Sequence, residues 1–546
     1  MEFNLASIAA AVAAAIPDRP YFTQGGVRLS YGEFMGRSHQ LANGLARRGL
    51  GCRTERAHLA GHESGQDHVA VYMFNCHEYL EVMIACYAAR AAPFNVNYRY
   101  VDDELVYLLD DQQASAVVYQ SEFAPVLDRI RGRLPMLRTL IQVADDSPNA
   151  LLEGADWYHD VLAAESTEPP DLSPSPDDLY VLCTGGTTGM PKGVLWRQAD
   201  IFVSALSGAS TRLGREFAST DEIVQEAIDR GERFRNLATA PFMHGAAQWS
   251  ALTALTHGNG IVLPGKVHSL DPAEVWRTAS QERVTMMQIV GDAFARPLLD
   301  ELERHRYDLR SLKIIMNGGA NLSVAAKRRI LEHLPHVTVG DGLGTSEAGA
   351  TGVATSKVEH ERASAFDLSP GVTVLSSDLS RAVEPGEREL GWMATGGRIP
   401  LGYLGDPGKT ASTFPTINGV RYVIPGDRAE LLADGRMVLR GRDSVTINSG
   451  GEKIFAEEVE QALLAHEAIE DVVVCGRPSE RWGSEVVAVV ALRPGQTATS
   501  DELCAAARIR IAPYKVPKLI VFRDRIARHP SGKADYRWAT DQTAIE

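Results

Sequence analysis

The chain has 546 residues, a formal net charge of -15, and 45% hydrophobic and 23% charged residues. That length exceeds what one core usually holds and predicts a large and a small domain, while the acidic balance argues against a nucleic-acid partner held by electrostatics. The six cysteines show no Cys-x-x-Cys and no paired spacing, so they suggest neither a disulfide framework nor a zinc site and fit a reducing, cytoplasmic setting.

In chain order, Leu5, Ile8, Val12 and Ile16 share one face of an Ala-rich helix. No basic residue precedes its apolar part, so no secretory signal is expected, and no run approaches the ~20 apolar residues of an integral membrane segment. Strands are predicted at 69–74, 93–96 and 115–119, with helices at 77–90 and 102–111 between them. A Pro/Ser/Asp-rich linker at 169–176 leads to the apolar run Leu179-Tyr180-Val181-Leu182-Cys183. Residues 214–235 are charged and poor in large apolar side chains, which reads as a surface excursion, a flap or an exposed helix. Strands at 284–290, 312–316 and 337–339, with a helix at 323–334, repeat the βαβ pattern. Glycines are expected just after two of these strands, at Gly318-Gly319 and from Gly340 to Gly344, where an open α/β sheet places its ligands. Beyond 442 the units shorten: a helix at 455–466, strands at 471–475 and 485–492, a helix from 500, and a strand at 519–522. The predicted fold class is therefore α/β: a large N-terminal domain of mostly parallel sheets covered by helices, followed by a small α+β C-terminal domain.

After the run 179–183 comes Thr184-Gly185-Gly186-Thr187-Thr188-Gly189-Met190-Pro191-Lys192-Gly193-Val194. Backbone N–H groups, hydroxyls and one lysine at a strand end suit a polyphosphate, which makes this loop a candidate for ATP. It is not a Walker A loop, because Lys192 follows Pro191 and precedes Gly193. A hydrolase elbow is also unsupported, since Gly344-Thr345-Ser346-Glu347-Ala348 lacks the final glycine of that motif.

The loop resembles the phosphate-loop signature of the adenylate-forming superfamily of acyl- and aryl-CoA synthetases, peptide-synthetase adenylation domains and luciferases, with Gly185 in place of the usual serine. Asp341-Gly342-Leu343-Gly344-Thr345-Ser346-Glu347, Pro425-Gly426-Asp427, Gly441-Arg442 through Gly450-Gly451-Glu452-Lys453, and Pro530-Ser531-Gly532-Lys533 resemble later elements of that family in the same order. The resemblance implies domains at 1–441 and 442–546, a hinge at Asp443-Ser444, and a small domain that rotates between two half-reactions. ATP, Mg²⁺ and coenzyme A are the implied cofactors, and a carboxylic acid is the substrate.

By that resemblance Lys533 is the cation near the α-phosphate, Glu347 the Mg²⁺ ligand, and Ser346 a hydroxyl donor to the α-phosphate. Thr184, Gly185, Gly186, Thr187, Thr188, Gly189 and Lys192 would cradle phosphates. Gly319, Ala320, Asp341, Gly342, Leu343 and Gly344 would line the adenine region, with Leu343 where many relatives carry a stacking aromatic. Asp427 and Arg442 would bind ribose, His244 would abut the substrate carboxylate, and Gly245, Ala246 and Gly319 would line the acyl pocket. The run Gly245-Ala246-Ala247 is expected to leave room there. Gly450, Gly451 and Lys453 would serve coenzyme A.

Within the family, Thr184-Gly185-Gly186, Trp196-Arg197, Gly291-Asp292-Ala293-Phe294-Ala295-Arg296-Pro297 and Tyr514-Lys515-Val516-Pro517 resemble synthetases of steroid side-chain or other bulky acids. Two alternatives stay open: a chain that performs only the thioester-forming half-reaction, and a stand-alone adenylation domain for a carrier protein. Sequence leaves the acid's identity and the oligomeric state open, a homodimer included.

Overall fold

The computed structural model describes residues 2–184, 191–210, 213–320, 322–356, 365–442, 445–449, 452–479, 483–511, 513–528 and 534–543. Gly185, Gly186, Thr187, Thr188, Gly189, Asp443, Ser444, Gly450, Gly451 and Lys533 lie outside the described residues, and of Arg442 and Lys453 only the backbone is described.

Short β-branched runs separated by helices build two sheets in the large part of the chain. In the first, Ala92–Asn95, His68–Tyr72, Ala114–Gln120, Thr139–Val143 and Asp156–Trp157 are parallel neighbours. Leu179–Thr184 joins them parallel to Ala92–Asn95, then Lys192–Arg197 and Gly402–Tyr403 continue antiparallel. The second sheet has fifteen strands among the described residues. Its parallel half runs through Pro20–Gln24, Gly260–Leu263, Arg235–Ala238, Met286–Ile289, Ile314–Asn317 and Thr338–Thr345. Its other half, from Gly349–Ser356 to Asp427–Leu431 and Met437–Arg442, is antiparallel. A third sheet of five strands draws only on residues from Thr446–Ser449 to Leu519–Phe522 and carries its own apolar cluster, so the small domain has an independent core.

One continuous apolar cluster joins inward residues of both large sheets to helices Leu5–Ala15, Tyr31–Arg47, His77–Ala88 and Gly245–Thr256. The helix His77–Ala88 is buried from Tyr79 onward, Glu81 included. That carboxylate is held by Arg37 at 2.6 Å, His77 at 3.0 Å and the Tyr158 hydroxyl at 2.5 Å. These donors keep it ionised below the usual carboxylate range despite its burial, as a buried charge requires.

One expectation is corrected, and one set of alternatives is decided in favour of a helix. The strand predicted at 337–339 runs on to Thr345, so Gly340, Gly342 and Gly344 lie inside it. Close approach is the reason: a Cβ on Gly340 would stand 2.4 Å from Met316 Sδ, and one on Gly344 2.5 Å from the Gly349 carbonyl. The charged stretch 214–235 forms a helix, Thr220–Arg230, capped by Ser219, that buries Ile223 and Ala227 and packs on Leu5–Ala15. Its buried stripe is narrow, and the charges conceal it in the sequence. No helix among the described residues is long and apolar enough to cross a membrane.

His68 supplies a pH test of the parallel sheet. It is 3% exposed, its Nδ1–H donates to the Gln112 carbonyl at 2.7 Å, and its Nε2 accepts from the Ser64 hydroxyl at 2.7 Å, so a neutral ring satisfies both. Burial lowers its pKa from 6.5 to about 4. Between those values the unfolded chain binds more protons than the folded one, so this contribution is complete above pH 6.5 and is lost as the pH falls toward 4. The expected loss is up to about 3 kcal/mol. Urea titrations across that window should show a smaller slope in His68→Gln, and an unchanged slope would refute the assignment.

Candidate active site

The phosphate-loop strand is positioned by a residue that sequence reasoning passed over. Leu179–Thr184 ends beside Lys192, its register partner, so the two ends of the loop are clamped together. The Asn95 side chain accepts from the Cys183 N–H at 2.8 Å and donates to the Cys183 carbonyl at 2.8 Å and the Met243 carbonyl at 2.7 Å. A buried amide satisfied in this way fixes backbone in two places at once. Asn75 repeats the device, donating to the Ala240 carbonyl at 2.9 Å and accepting from the Phe242 N–H at 2.6 Å. His244 follows this doubly fastened segment and occupies the N-cap position of the helix Gly245–Thr256 without a side-chain cap bond, so it is brought next to the root of the phosphate loop. The signal in the sequence was a polar residue closing each apolar run, Asn75 after Phe74 and Asn95 after Phe94.

The small residues after His244 have a different reason from the expected one. A Cβ on Gly245 would stand 2.6 Å from Leu182 Cδ2, and Ala247 is fully buried. Their size lets the helix pack tightly on the strand rather than leaving room, while Ala246 is half-buried. Open space lies instead at Gly318, where a Cβ would meet nothing within 4 Å. Gly319 adopts φ +83°, which only glycine takes without strain. Asn317 organises this corner, accepting from the Gly291 N–H at 2.7 Å and donating to the Ala320 carbonyl at 3.0 Å and Asp341 Oδ1 at 3.1 Å.

Ser346, Glu347 and Ala348 form the tip of the hairpin between Thr338–Thr345 and Gly349–Ser356, with Thr345 opposite Gly349. The tip is fastened to the other sheet twice. Trp196, fully buried, donates its indole N–H to the Ser346 carbonyl at 2.9 Å, and the Tyr403 hydroxyl lies 3.1 Å from Glu347 Oε1. Tyr403 itself pairs with Val194, two residues beyond Lys192. Thus Thr184, Lys192, His244, Ser346 and Glu347, drawn from two sheets, converge on one region.

Three assigned residues have structural partners. Lys192, half-buried, forms an ion pair with Asp406, whose carboxyl it holds below the usual range. Asp341 pairs with Lys327 at 2.5 Å. The Leu343 side chain packs on the cluster of Val374, Met393 and Met437. Asp427, 4% exposed, lies opposite Arg442 in register, so the two ribose candidates are strand neighbours. Asn448 and Lys453 are register partners in the hairpin that flanks Gly450 and Gly451. Among the described residues no group of three His, Cys, Asp or Glu side chains is arranged to hold a metal.

The pattern of the family described as AMP-binding enzyme matches residues 9–388, and that of the AMP-binding enzyme C-terminal domain matches residues 458–533. The chain is 52% identical over 540 residues to a medium-chain acyl-CoA ligase of Mycobacterium avium, covering 99% of this chain and 98% of that protein. It is 37% identical over 557 residues to 3-oxocholest-4-en-26-oate–CoA ligase of Rhodococcus rhodochrous, covering 100% and 97%. Among solved structures, an anthranilate CoA ligase in complex with anthranoyl-AMP superposes with TM-score 0.82 at 19% identity, covering 99% and 97%. A fatty acyl CoA synthetase of Mycobacterium tuberculosis does so with TM-score 0.71 at 22% identity, covering 99% and 98%.

Asn95→Ala would leave three backbone groups without their side-chain partner. Urea denaturation should report a loss of about 2 kcal/mol or more, with pyrophosphate exchange falling at least tenfold as the phosphate-loop root and His244 drift apart. Unchanged exchange would show that the Asn95 clamp does not set the site.

Proposed function

We propose, for a chain that belongs to the AMP-binding enzyme family and is an ATP-dependent acid–thiol ligase, that it converts a bulky apolar carboxylic acid, polycyclic or long-chain, to its CoA thioester. The observation that carries this reading is the convergence of Thr184, Lys192, His244, Ser346 and Glu347 where strands of two sheets meet. A carboxylate and a triphosphate repel each other, and such a site brings them together amid oriented donors.

In the first half-reaction a carboxylate oxygen forms a bond to the α-phosphorus and pyrophosphate leaves with the electrons of the broken P–O bond. In the second, the CoA thiol loses its proton to solvent, its sulfur bonds to the acyl carbon, and the acyl C–O bond breaks as AMP leaves with those electrons. In this reading the Thr184–Lys192 clamp presents the loop to the phosphates, and Asp427 with Arg442 holds the ribose. His244 meets the acid's carboxylate and Ser346 donates to the α-phosphate. Lys533 offsets charge that develops only during adenylation. Gly450, Gly451 and Lys453 receive coenzyme A after the small domain turns about Asp443-Ser444, with the boundary between domains at 442.

The residues present fit a magnesium ion. A single carboxylate whose orientation is held by a phenol, with no protein cage among the described residues, matches a hard cation that completes its shell with phosphate oxygens and water. Glu347 would hold it, and the ion would neutralise phosphate charge. The relatives acting on medium-chain and 3-oxocholestenoic acids support an apolar substrate. Each additional buried methylene contributes about 0.8 kcal/mol. A cytoplasmic location is consistent with thiols at Cys52, Cys76, Cys86, Cys183, Cys475 and Cys504 that are all unpaired.

A panel of acids, followed both by pyrophosphate exchange and by thioester formation, tests the assignment. Medium-to-long linear or polycyclic acids should exceed acetate at least a hundredfold in kcat/KM, and highest efficiency with acetate or an amino acid would overturn it. Exchange without thioester formation would favour the carrier-protein alternative. Lys533→Ala should abolish adenylation yet leave thioester formation from supplied acyl-adenylate within about threefold of the parent, because its charge acts in one transition state only. Equal losses in both steps would remove that role.

A further inference from the structure

The Tyr403 side chain has constraints that its burial alone does not require. It is 3% exposed and sits on the short strand Gly402–Tyr403, whose partner is the strand that receives the phosphate loop. Its ring lies edge-on to Phe414 at 5.7 Å, and Lys409 Nζ stands 4.6 Å from the ring centroid. Its own N–H donates to the Thr410 hydroxyl at 2.9 Å. Backbone register, an aromatic edge and a cation over the face together hold this phenol, and its hydroxyl is directed at Glu347 Oε1 at 3.1 Å.

Glu347 needs such a partner. A glutamate has three side-chain torsions, and on a hairpin tip it would otherwise spread over several rotamers. The backbone of the tip is already pinned by the Trp196 indole on the Ser346 carbonyl, so the carboxylate is the part left to be oriented. Three residues along from Tyr403, Asp406 pairs with Lys192 and caps the helix Pro407–Thr413 through the Lys409 N–H at 2.8 Å. One short segment thus grips both the lysine of the phosphate loop and the carboxylate of the hairpin tip.

We propose that Tyr403 is a positioning residue for Glu347: its hydroxyl fixes one carboxylate oxygen and so orients the group toward a divalent cation carried by the nucleotide. This inference rests on the reading of Glu347 as the metal ligand. The phenol is buried and donates a hydrogen bond to Glu347. Its removal should therefore weaken cation binding without altering steps in which the cation takes no part.

Tyr403→Phe deletes only the hydroxyl and keeps the ring contacts. In the full chain, Mn²⁺ binding in the presence of a non-hydrolysable ATP analogue, followed by electron paramagnetic resonance, should weaken about tenfold, the order expected of one hydrogen bond to a charged group. The Mg²⁺ concentration that half-saturates adenylation should rise by a similar factor. Thioester formation from supplied acyl-adenylate should be unchanged, and the thermal midpoint should fall by no more than the few degrees that one hydrogen bond accounts for. In a Glu347→Gln background the same substitution should add no further loss of Mn²⁺ affinity, since the two groups act as one unit. Weakened Mn²⁺ binding in Glu347→Gln with parental binding in Tyr403→Phe would overturn the positioning role alone. Parental binding in both variants would overturn the reading of Glu347 as well. Equal losses of adenylation and thioester formation in Tyr403→Phe would mark the hydroxyl as merely structural and overturn the proposal too.

Discussion

The arrangement depends on one constraint: a hairpin tip belonging to one sheet is tied to a strand pair of the other. The indole of Trp196 holds the Ser346 carbonyl, and the phenol of Tyr403 meets the Glu347 carboxylate. Both aromatic residues are buried, so the polar atom of each calls for a partner within the protein. Because each bond crosses between sheets, the relative placement of the sheets and the position of the tip are settled together. The strand Leu179–Thr184 lies on one side of this junction and the glycines of Thr338–Thr345 on the other.

Backbone at the carboxyl ends of parallel strands loses its ladder partners, and here those groups are taken up by amide side chains. Asn75 and Asn95 each bond at least two backbone groups in segments distant along the chain, and Asn317 bonds one distant group, at Gly291, and one three residues away, at Ala320. An amide can donate and accept at once, which suits it to closing such ends where a charged group would carry a desolvation cost. The resulting loops are irregular yet held in place. That is what a site needs if it is to bring an acid and a triphosphate together without reorganising at the moment of reaction.

Ionic pairs near the site have a related role. Lys192 with Asp406 and Lys327 with Asp341 join residues of opposite charge around a region that will receive polyanions. The lysine and aspartate side chains are thereby held at defined positions. Among the described residues the small domain has its own sheet and apolar cluster and shares none of these ties.

Much was legible from the sequence because local patterns carried it. The alternation of apolar runs with helical periods marked the parallel sheets, and the helix Asp102–Asp111 and the strand Leu519–Phe522 stand where periodicity placed them. The order of Gly-rich and acidic motifs sufficed to identify the family, since a phosphate-binding loop needs particular residue types at short spacing. What tertiary structure alone decided was the use of residues far apart in the chain. Trp196, Tyr403 and Asn95 carry no local signature of their partners, because a hydrogen bond across 56 or 150 residues depends on how the sheets stack. Gly245 and Gly340 looked like space for a ligand or the end of a strand, yet their size is taken up by Leu182 and Met316. A sequence states that a residue is small, polar or aromatic; only the packed chain determines what stands opposite it.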